Sequence, residues 1–97
     1  PNSWPELARI IDQIYDDLPV GLSEVYPQLS VDDVRLCCMI IVGLSSSEIA
    51  QVLDIRTESV YRKRRRLKKK LSLGEKDSLR EHLLRFIDRM ADDPRAV

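Results

Sequence analysis

The fold is decided by residues 43–71, which read GLSSSEIAQVLDIRTESVYRKRRRLKKKL. Within this stretch, Ser45-Ser46-Ser47-Glu48 is a capping box at the start of a helix. In this motif a serine side chain accepts a hydrogen bond from the backbone amide of a glutamate three residues later, and the glutamate side chain accepts one from the backbone amide of the serine. After this short helix, residues 54–56 make a tight connection to a second helix over about residues 57–70. Two helices joined by a turn of this length are typical of a helix-turn-helix.

The second helix of this pair has a narrow apolar side and a broad cationic one. The helical period places Val60, Leu67 and Leu71 together, which predicts that they are buried. The opposite side carries six residues, namely Glu58, Tyr61, Arg62, Arg65, Arg66 and Lys69. Four more basic residues lie on the flanks, namely Lys63, Arg64, Lys68 and Lys70. This pattern predicts a helix that is anchored by its apolar stripe and presents positive charge to a partner.

The net charge of the chain is zero, but the charges are distributed very unevenly. Residues 1–55 hold two basic and nine acidic residues, whereas residues 56–70 hold nine basic residues and one acidic residue. Residues 71–97 hold five basic and six acidic residues. A positive field concentrated on one short segment indicates a polyanionic partner rather than an ordinary solvated face.

Double-stranded DNA fits this cationic helix better than RNA does. An α-helix enters the major groove of DNA, where arginine reads the O6 and N7 atoms of guanine. Sequence-specific RNA readers usually stack bases on aromatic side chains. Tyr61 is the only aromatic residue in the predicted helix. The sequence therefore predicts binding to duplex DNA.

The rest of the chain predicts an all-α fold, a compact helix array with an N-terminal amphipathic helix over residues 4–18. The apolar face of that helix consists of Trp4, Leu7, Ala8, Ile11, Ile14, Tyr15 and Leu18. A short second helix follows. Residues 30–33 form a variant capping box before a helix that is apolar nearly all round, which predicts a central position in the domain. Gly43 ends that helix, and a last helix is predicted over about residues 77–91.

The sequence offers little for catalysis, metal binding or membrane insertion. Cys37 and Cys38 are adjacent in an apolar run and are predicted to be reduced core residues of a cytoplasmic protein. His82 is the only histidine, and the glycines lie too far apart for a phosphate-binding loop. The longest apolar run, residues 36–44, is well short of the roughly 20 residues that span a bilayer. We therefore expect no enzyme, no cofactor, no metal and no membrane contact. Because the chain starts at Pro1 instead of Met, it is expected to come from a longer protein.

Residues 29–73 resemble the LuxR-type helix-turn-helix domain. That family reads approximately G-x-S-x-x-E-I-A, then L-x-I, then T-V, then I-x-x-K-L. The matching residues here are Gly43-Leu44-Ser45-Ser46-Ser47-Glu48-Ile49-Ala50, Leu53, Ile55, Ser59-Val60, Leu67, Lys70-Leu71 and Leu73. The preceding Leu29-Ser30-Val31-Asp32-Asp33 is similar to the family's opening L-T-x-x-E. The whole chain resembles a variant at the C-terminus of larger bacterial transcriptional regulators, which carry tetratricopeptide repeats or sensor modules upstream.

The resemblance implies four core helices within residues 29–97, with residues 1–28 connecting them to an upstream module. It places the base-reading positions on Tyr61, Arg62 and Arg65, which the helical period also places outward. It maps phosphate contacts to Ser46, Ser47, Ser59, Lys63, Arg66 and Lys69. It further implies that the last helix contributes to a homodimer, although its apolar residues Leu83, Phe86 and Ile87 fit an intramolecular core equally well.

The sequence departs from the family pattern at two positions, Arg56 and Asp33. Arg56 stands where the family often has the serine or threonine that caps this helix, so Thr57 is predicted to cap it instead. Asp33 replaces the usual glutamate. The basic run is also heavier than the family's, which suggests tighter and less selective binding.

Two alternatives to this function remain open from the sequence. A domain similar to region 4 of a sigma factor has a similar helix array, reads a promoter element and binds RNA polymerase. A protein-interaction module would instead use the amphipathic helix 4–18 to contact a partner, with the basic helix serving solubility or an acidic protein. The charge asymmetry favours DNA over this last alternative.

Overall fold

Six helices and no strand make up residues 2–92, the part of the chain that the computed structural model describes. In chain order the helices are α1 (Trp4–Ile14), α2 (Leu18–Val25), α3 (Val31–Ile41), α4 (Ser46–Leu53), α5 (Thr57–Lys70) and α6 (Leu79–Asp92). The predicted all-α fold is confirmed. Residue 1, in the predicted segment 1–28, lies outside the described residues, and so do residues 93–97, in the predicted segment 29–97. Each helix within residues 2–92 is too short or too polar to cross a membrane.

The central helix of the fold is α3, as its apolar sequence predicts. Seven of its eleven residues are buried, namely Val34, Leu36, Cys37, Cys38, Met39, Ile40 and Ile41. It packs against α2, α5 and α6. The other helices add side chains to the same hydrophobic cluster, including Ile11 from α1, Leu22 from α2 and Ile49 from α4. The first two helices therefore share one core with α3, α4, α5 and α6.

The prediction of a single helix over residues 4–18 is wrong. The chain ends α1 at Ile14 and begins α2 at Leu18. Between them, Asp17 adopts a left-handed conformation with φ of 56°, which redirects the backbone. Pro19 lies in the first turn of the second helix instead of ending the first helix, because its missing N–H costs no hydrogen bond in a first turn. As a result Ile14, which the single helix would have buried, is 59% exposed.

Reciprocal hydrogen bonds confirm both predicted capping boxes. At the start of α4, Ser45 Oγ accepts the amide of Glu48 at 3.1 Å, and Glu48 Oε1 accepts the amide of Ser45 at 2.9 Å. At the start of α3, Ser30 and Asp33 exchange bonds of 3.1 Å and 2.9 Å. Gly43, with φ of 94°, follows the end of α3 as predicted. Short-range sequence therefore fixes where α3 begins and ends and where α4 begins.

The apolar residues of α6 that were candidates for a dimer contact belong largely to the core of one chain. Leu83 has no exposed surface and Phe86 is 5% exposed, because α6 packs against α3. Ile87 is half-buried at the edge of the same cluster. Of these three side chains, only Ile87 retains surface that a second chain can reach.

Cys37 and Cys38 are free thiols with no exposed surface. Burial raises the pKa of each thiol to about 12. Both groups therefore stay protonated at neutral pH, and a protonated thiol is a poor nucleophile. The prediction of reduced core cysteines is confirmed.

Candidate nucleic-acid interface

The orientation of α5 is set by its apolar stripe. Val60 and Leu67 have no exposed surface, and Leu71 is 8% exposed. These side chains face the core, where α5 packs against α4 and α3. The predicted stripe is confirmed, and the opposite side of α5, which is rich in arginine and lysine, consequently faces solvent.

A three-residue connection joins α4 to α5, as predicted for residues 54–56. Asp54 adopts a left-handed conformation with φ of 56°, which aspartate tolerates better than most residues. The amide of Ile55 donates to the carbonyl of Ala50 at 3.0 Å and completes the turn. Ile55 is half-buried against the core and anchors the connection. Helices α4 and α5 are thus two packed helices joined by a three-residue turn, as predicted for this stretch.

The predicted cap of α5 is wrong. Thr57 is the first helical residue, and the N-cap position belongs to Arg56, whose backbone is extended and whose side chain makes no capping hydrogen bond. The carbonyl of Arg56 accepts the amides of Ser59 and Val60 at 3.0 Å and 3.3 Å. Because the side chain of Arg56 does not cap the helix, the first amides of α5 remain accessible to an anion.

The three residues predicted to read bases lie together on the solvent side of α5. Tyr61, Arg62 and Arg65 are all exposed, Tyr61 by 54%. Nη2 of Arg62 donates to Ser59 Oγ at 3.4 Å, one turn earlier in the helix. A bond of that length is weak, and the guanidinium keeps its other donors free for a base edge.

The phosphate candidates Ser46 and Ser47 occupy the first two positions of α4. Ser47 is exposed and Ser46 is half-buried. The carboxylate of Glu48 shares this helix end, and hydrogen bonds from the amide and hydroxyl of Ser45 lower its pKa. Glu48 is therefore ionised at neutral pH. Its negative charge weakens the attraction of this helix end for a phosphate.

The other four phosphate candidates separate into two groups. Arg66 and Lys69 are exposed on the outward side of α5. Ser59 and Lys63 are half-buried on one flank. Lys63 lines a small cavity together with Leu36 of α3, so it lies beside the core rather than on the open cationic surface.

A structural role of Lys70 was not predicted. Its ammonium group pairs with the carboxylate of Asp33 at the start of α3, and its carbonyl accepts Nε2 of Gln28 at 3.2 Å. Burial opposes the ionisation of Asp33, but hydrogen bonds from Lys70 and Ser30 outweigh it and hold the pKa of Asp33 below its usual value. No local pattern signals this ion pair, because 37 residues separate its members.

Within residues 2–92, no group of three or more histidine, cysteine, aspartate or glutamate side chains is placed to hold a metal ion. The chain matches no family model, no curated protein and no solved structure.

Proposed function

We propose that this chain binds double-stranded DNA sequence-specifically, as the DNA-binding output module of a LuxR-type transcriptional regulator in the bacterial cytoplasm. Helix α5 would lie in the major groove. The observation that carries the proposal is the joint exposure of Tyr61, Arg62 and Arg65 on a helix whose opposite side is buried. Arginines presented in this way match the paired acceptors of guanine.

The remaining cationic side chains would supply affinity rather than sequence preference. Arg66 and Lys69 are exposed on the same side of α5 as the base-reading residues. Lysine and arginine side chains that neutralise phosphates release condensed counterions, which makes binding strongly dependent on salt. Contacts of this kind fix the register of the protein on the duplex, while contacts to base edges select the sequence.

A salt series with a random-sequence duplex, followed by fluorescence anisotropy, tests this proposal. Each neutralised phosphate contributes about −0.9 to the slope of log K against log salt concentration. Five or six phosphate contacts therefore predict a slope of about −5. An acidic protein labelled with the same fluorophore is the control, for which we expect no comparable salt dependence. Absence of duplex binding at low salt would contradict the proposal.

A cleft elsewhere on the molecule favours a second function, contact with a protein. The cleft of about 510 Å³ lies between α1, α2 and α3 and is lined mainly by apolar surface, including Trp4, Val20 and Val31. Val31 is 68% exposed and Val20 is 55% exposed. Exposed apolar surface of this kind marks interaction sites on soluble domains. A module resembling sigma region 4 would in addition bind RNA polymerase. Retention of the chain on immobilised RNA polymerase would therefore support that alternative over a LuxR-type module.

A further inference from the structure

A second cationic feature lies beside the base-reading residues, in a cleft of about 460 Å³ between α5 and the start of α6. Helix α5 contributes Tyr61, Arg64, Arg65 and Lys68 to its lining, and α6 contributes Leu79 with the preceding Ser78. Tyr61 and Arg65 belong both to this cleft and to the exposed base-reading set. The cleft is therefore continuous with the surface that α5 presents to DNA.

Arg64 is one of two half-buried positive charges in this cleft. Burial lowers the pKa of its guanidinium, an effect that Tyr61 partly opposes. The group nevertheless remains charged, since arginine does not deprotonate in proteins. Among the described residues no carboxylate forms an ion pair with it. A charge that loses hydration without gaining a direct ion pair is destabilised, and a bound anion would offset that loss.

Lys68 adds a second half-buried positive charge on the same side of α5, one turn after Arg64. Its Nζ donates to the backbone carbonyl of Glu75 at 2.8 Å, which holds the ammonium group at the cleft. This single bond leaves two further donors on the ammonium group. Two cations on adjacent turns can therefore approach one anion from the same side.

The start of α6 contributes a partial positive charge to the opposite side of the cleft. Ser78 Oγ accepts the amide of Glu81 at 3.1 Å, which caps the third position of the helix. The amide of Leu79, at the first position, has no partner within the helix. Unpaired amides at a helix start carry the positive end of the helix dipole. This feature adds to the two side-chain charges and does not define the cleft by itself.

Two carboxylates also line the cleft and must be counted against anion binding. Asp77 Oδ2 accepts the amide of Gly74 at 2.7 Å, so that carboxylate is engaged in the turn before α6. Glu75 is exposed, and water screens its charge. The cleft nevertheless holds three cationic side chains, Arg64, Arg65 and Lys68, against two carboxylates, which leaves one net positive charge.

We propose that the cleft between α5 and α6 binds a phosphate group through Arg64 and Lys68. The inference deepens the proposed function and rests on it for the source of the phosphate, which is the backbone of the duplex that α5 reads. A phosphate seated here lies beside Tyr61 and Arg65, where a strand that borders the major groove would pass. The cleft would thus fix the register of α5 on the DNA.

The phosphate site can be tested without DNA, by titrating the 97-residue chain with inorganic pyrophosphate and following its ¹⁵N NMR spectrum. We expect saturable shifts at the amides of Ser78 and Leu79 and at Nε of Arg64. The variant Arg64→Gln should lose the shifts at Ser78 and Leu79, whereas Arg9→Gln, an exposed change on α1, should keep them. Unchanged spectra, or shifts spread evenly over all of α5, would overturn the phosphate site.

The source of the phosphate is tested by duplex binding. Arg64→Gln should weaken binding about five-fold near 0.15 M salt and reduce the salt slope by about 1. Arg64→Lys, which keeps the charge, should retain most of the slope. Lys68→Gln should behave like Arg64→Gln, while Arg9→Gln should match the unmodified chain. Circular dichroism verifies that each variant is folded.

The two tests distinguish failure of this inference from failure of the proposed function. If the unmodified chain binds the duplex and Arg64→Gln and Lys68→Gln bind it with the same slope, the cleft does not hold a backbone phosphate, although DNA binding stands. If the unmodified chain does not bind any duplex, the proposed function fails. Pyrophosphate binding that is lost in Arg64→Gln would then identify a free phosphorylated ligand as the occupant of the cleft.

Discussion

Lys70, the last residue of α5, pairs through its ammonium group with the carboxylate of Asp33 in the first turn of α3. The same carboxylate accepts the amide of Ser30 at 2.9 Å and completes the capping box of α3. One side chain therefore caps the central helix and also holds the end of the helix that we propose reads DNA. Because α3 is the most deeply buried helix, this pair ties the orientation of α5 to the core.

Replacing Asp33 by asparagine should lower the free energy of unfolding by about 1 kcal/mol at neutral pH. The amide can still accept the hydrogen bond from Ser30 but has no charge to pair with Lys70. Urea denaturation measures the change. The matched control is Asp32→Asn, an exposed neighbour in the same helical turn that makes no ion pair among the described residues. Equal losses in the two variants would show that the pair with Lys70 contributes nothing.

The contribution of Asp33 should also depend on pH in a defined direction. Its pKa is lower in the folded chain than the ordinary value of 3.8. The stabilisation is therefore fully present above about pH 4, where the unfolded carboxyl is ionised, and is lost as the pH falls through the folded pKa. The difference in unfolding free energy between the natural chain and Asp33→Asn should shrink over that acidic range. A difference that grows on acidification would contradict the assigned pair.

Changes at the exposed side of α5 should separate sequence preference from general affinity. Arg62→Ala or Arg65→Ala should cost about 1–3 kcal/mol for a preferred site, because each would remove contacts to a base edge. Lys69→Ala should weaken binding to all duplexes alike and lower the salt slope by about 1. Anisotropy with a selected site and a scrambled duplex measures both effects. If neither arginine change alters binding to the selected site, this side of α5 does not read the DNA.

A change at the end of α5 should stabilise the fold. Ser72 has a φ of 59°, and its neighbour Leu73 donates to the carbonyl of Lys68 at 2.8 Å in a left-handed helix ending. Ser72→Gly relieves the cost of that backbone conformation and should raise the free energy of unfolding by about 0.5–1 kcal/mol.

The reverse change at the end of α3 provides the control for Ser72→Gly. Gly43 has a φ of 94°, and Gly43→Ala should destabilise the chain by at least about 1 kcal/mol. An added Cβ would meet Nη2 of Arg80 at 3.6 Å, which is ordinary contact, so the cost arises in the backbone. Thermal unfolding of both variants is the measurement: the melting temperature should rise in Ser72→Gly and fall in Gly43→Ala. A stabilising Gly43→Ala would contradict the assigned backbone conformation.

The two cysteines should be inert in the native chain. With a thiol pKa of about 12 and no exposed surface, Cys37 and Cys38 should react with iodoacetamide at pH 8 on the order of a thousand-fold more slowly than an ordinary cysteine. In denaturing urea both should alkylate at the ordinary rate. Mass spectrometry over time follows the modification, and rapid alkylation without urea would show that α3 is accessible.

Local features of the chain were predictable because each depends on residues within one or two helical turns. The capping boxes at Ser30 and Ser45 and the buried stripe of α5 were identified in this way, and all are present. The break after Ile14 was missed, because the apolar spacing continues through Leu18 and Pro19 is compatible with both the end of one helix and the start of another.

The sequence by itself determined the helical class, the starts of α3 and α4 and the concentration of positive charge on α5, since periodicity, capping and charge are encoded by near neighbours. Only the tertiary structure decided which of these charges are free. It pairs Lys70 with Asp33 and leaves Arg64 half-buried without an ion pair in the described part of the chain. It also encloses Leu83 in the core. These outcomes depend on how distant helices pack, and no local pattern encodes that packing.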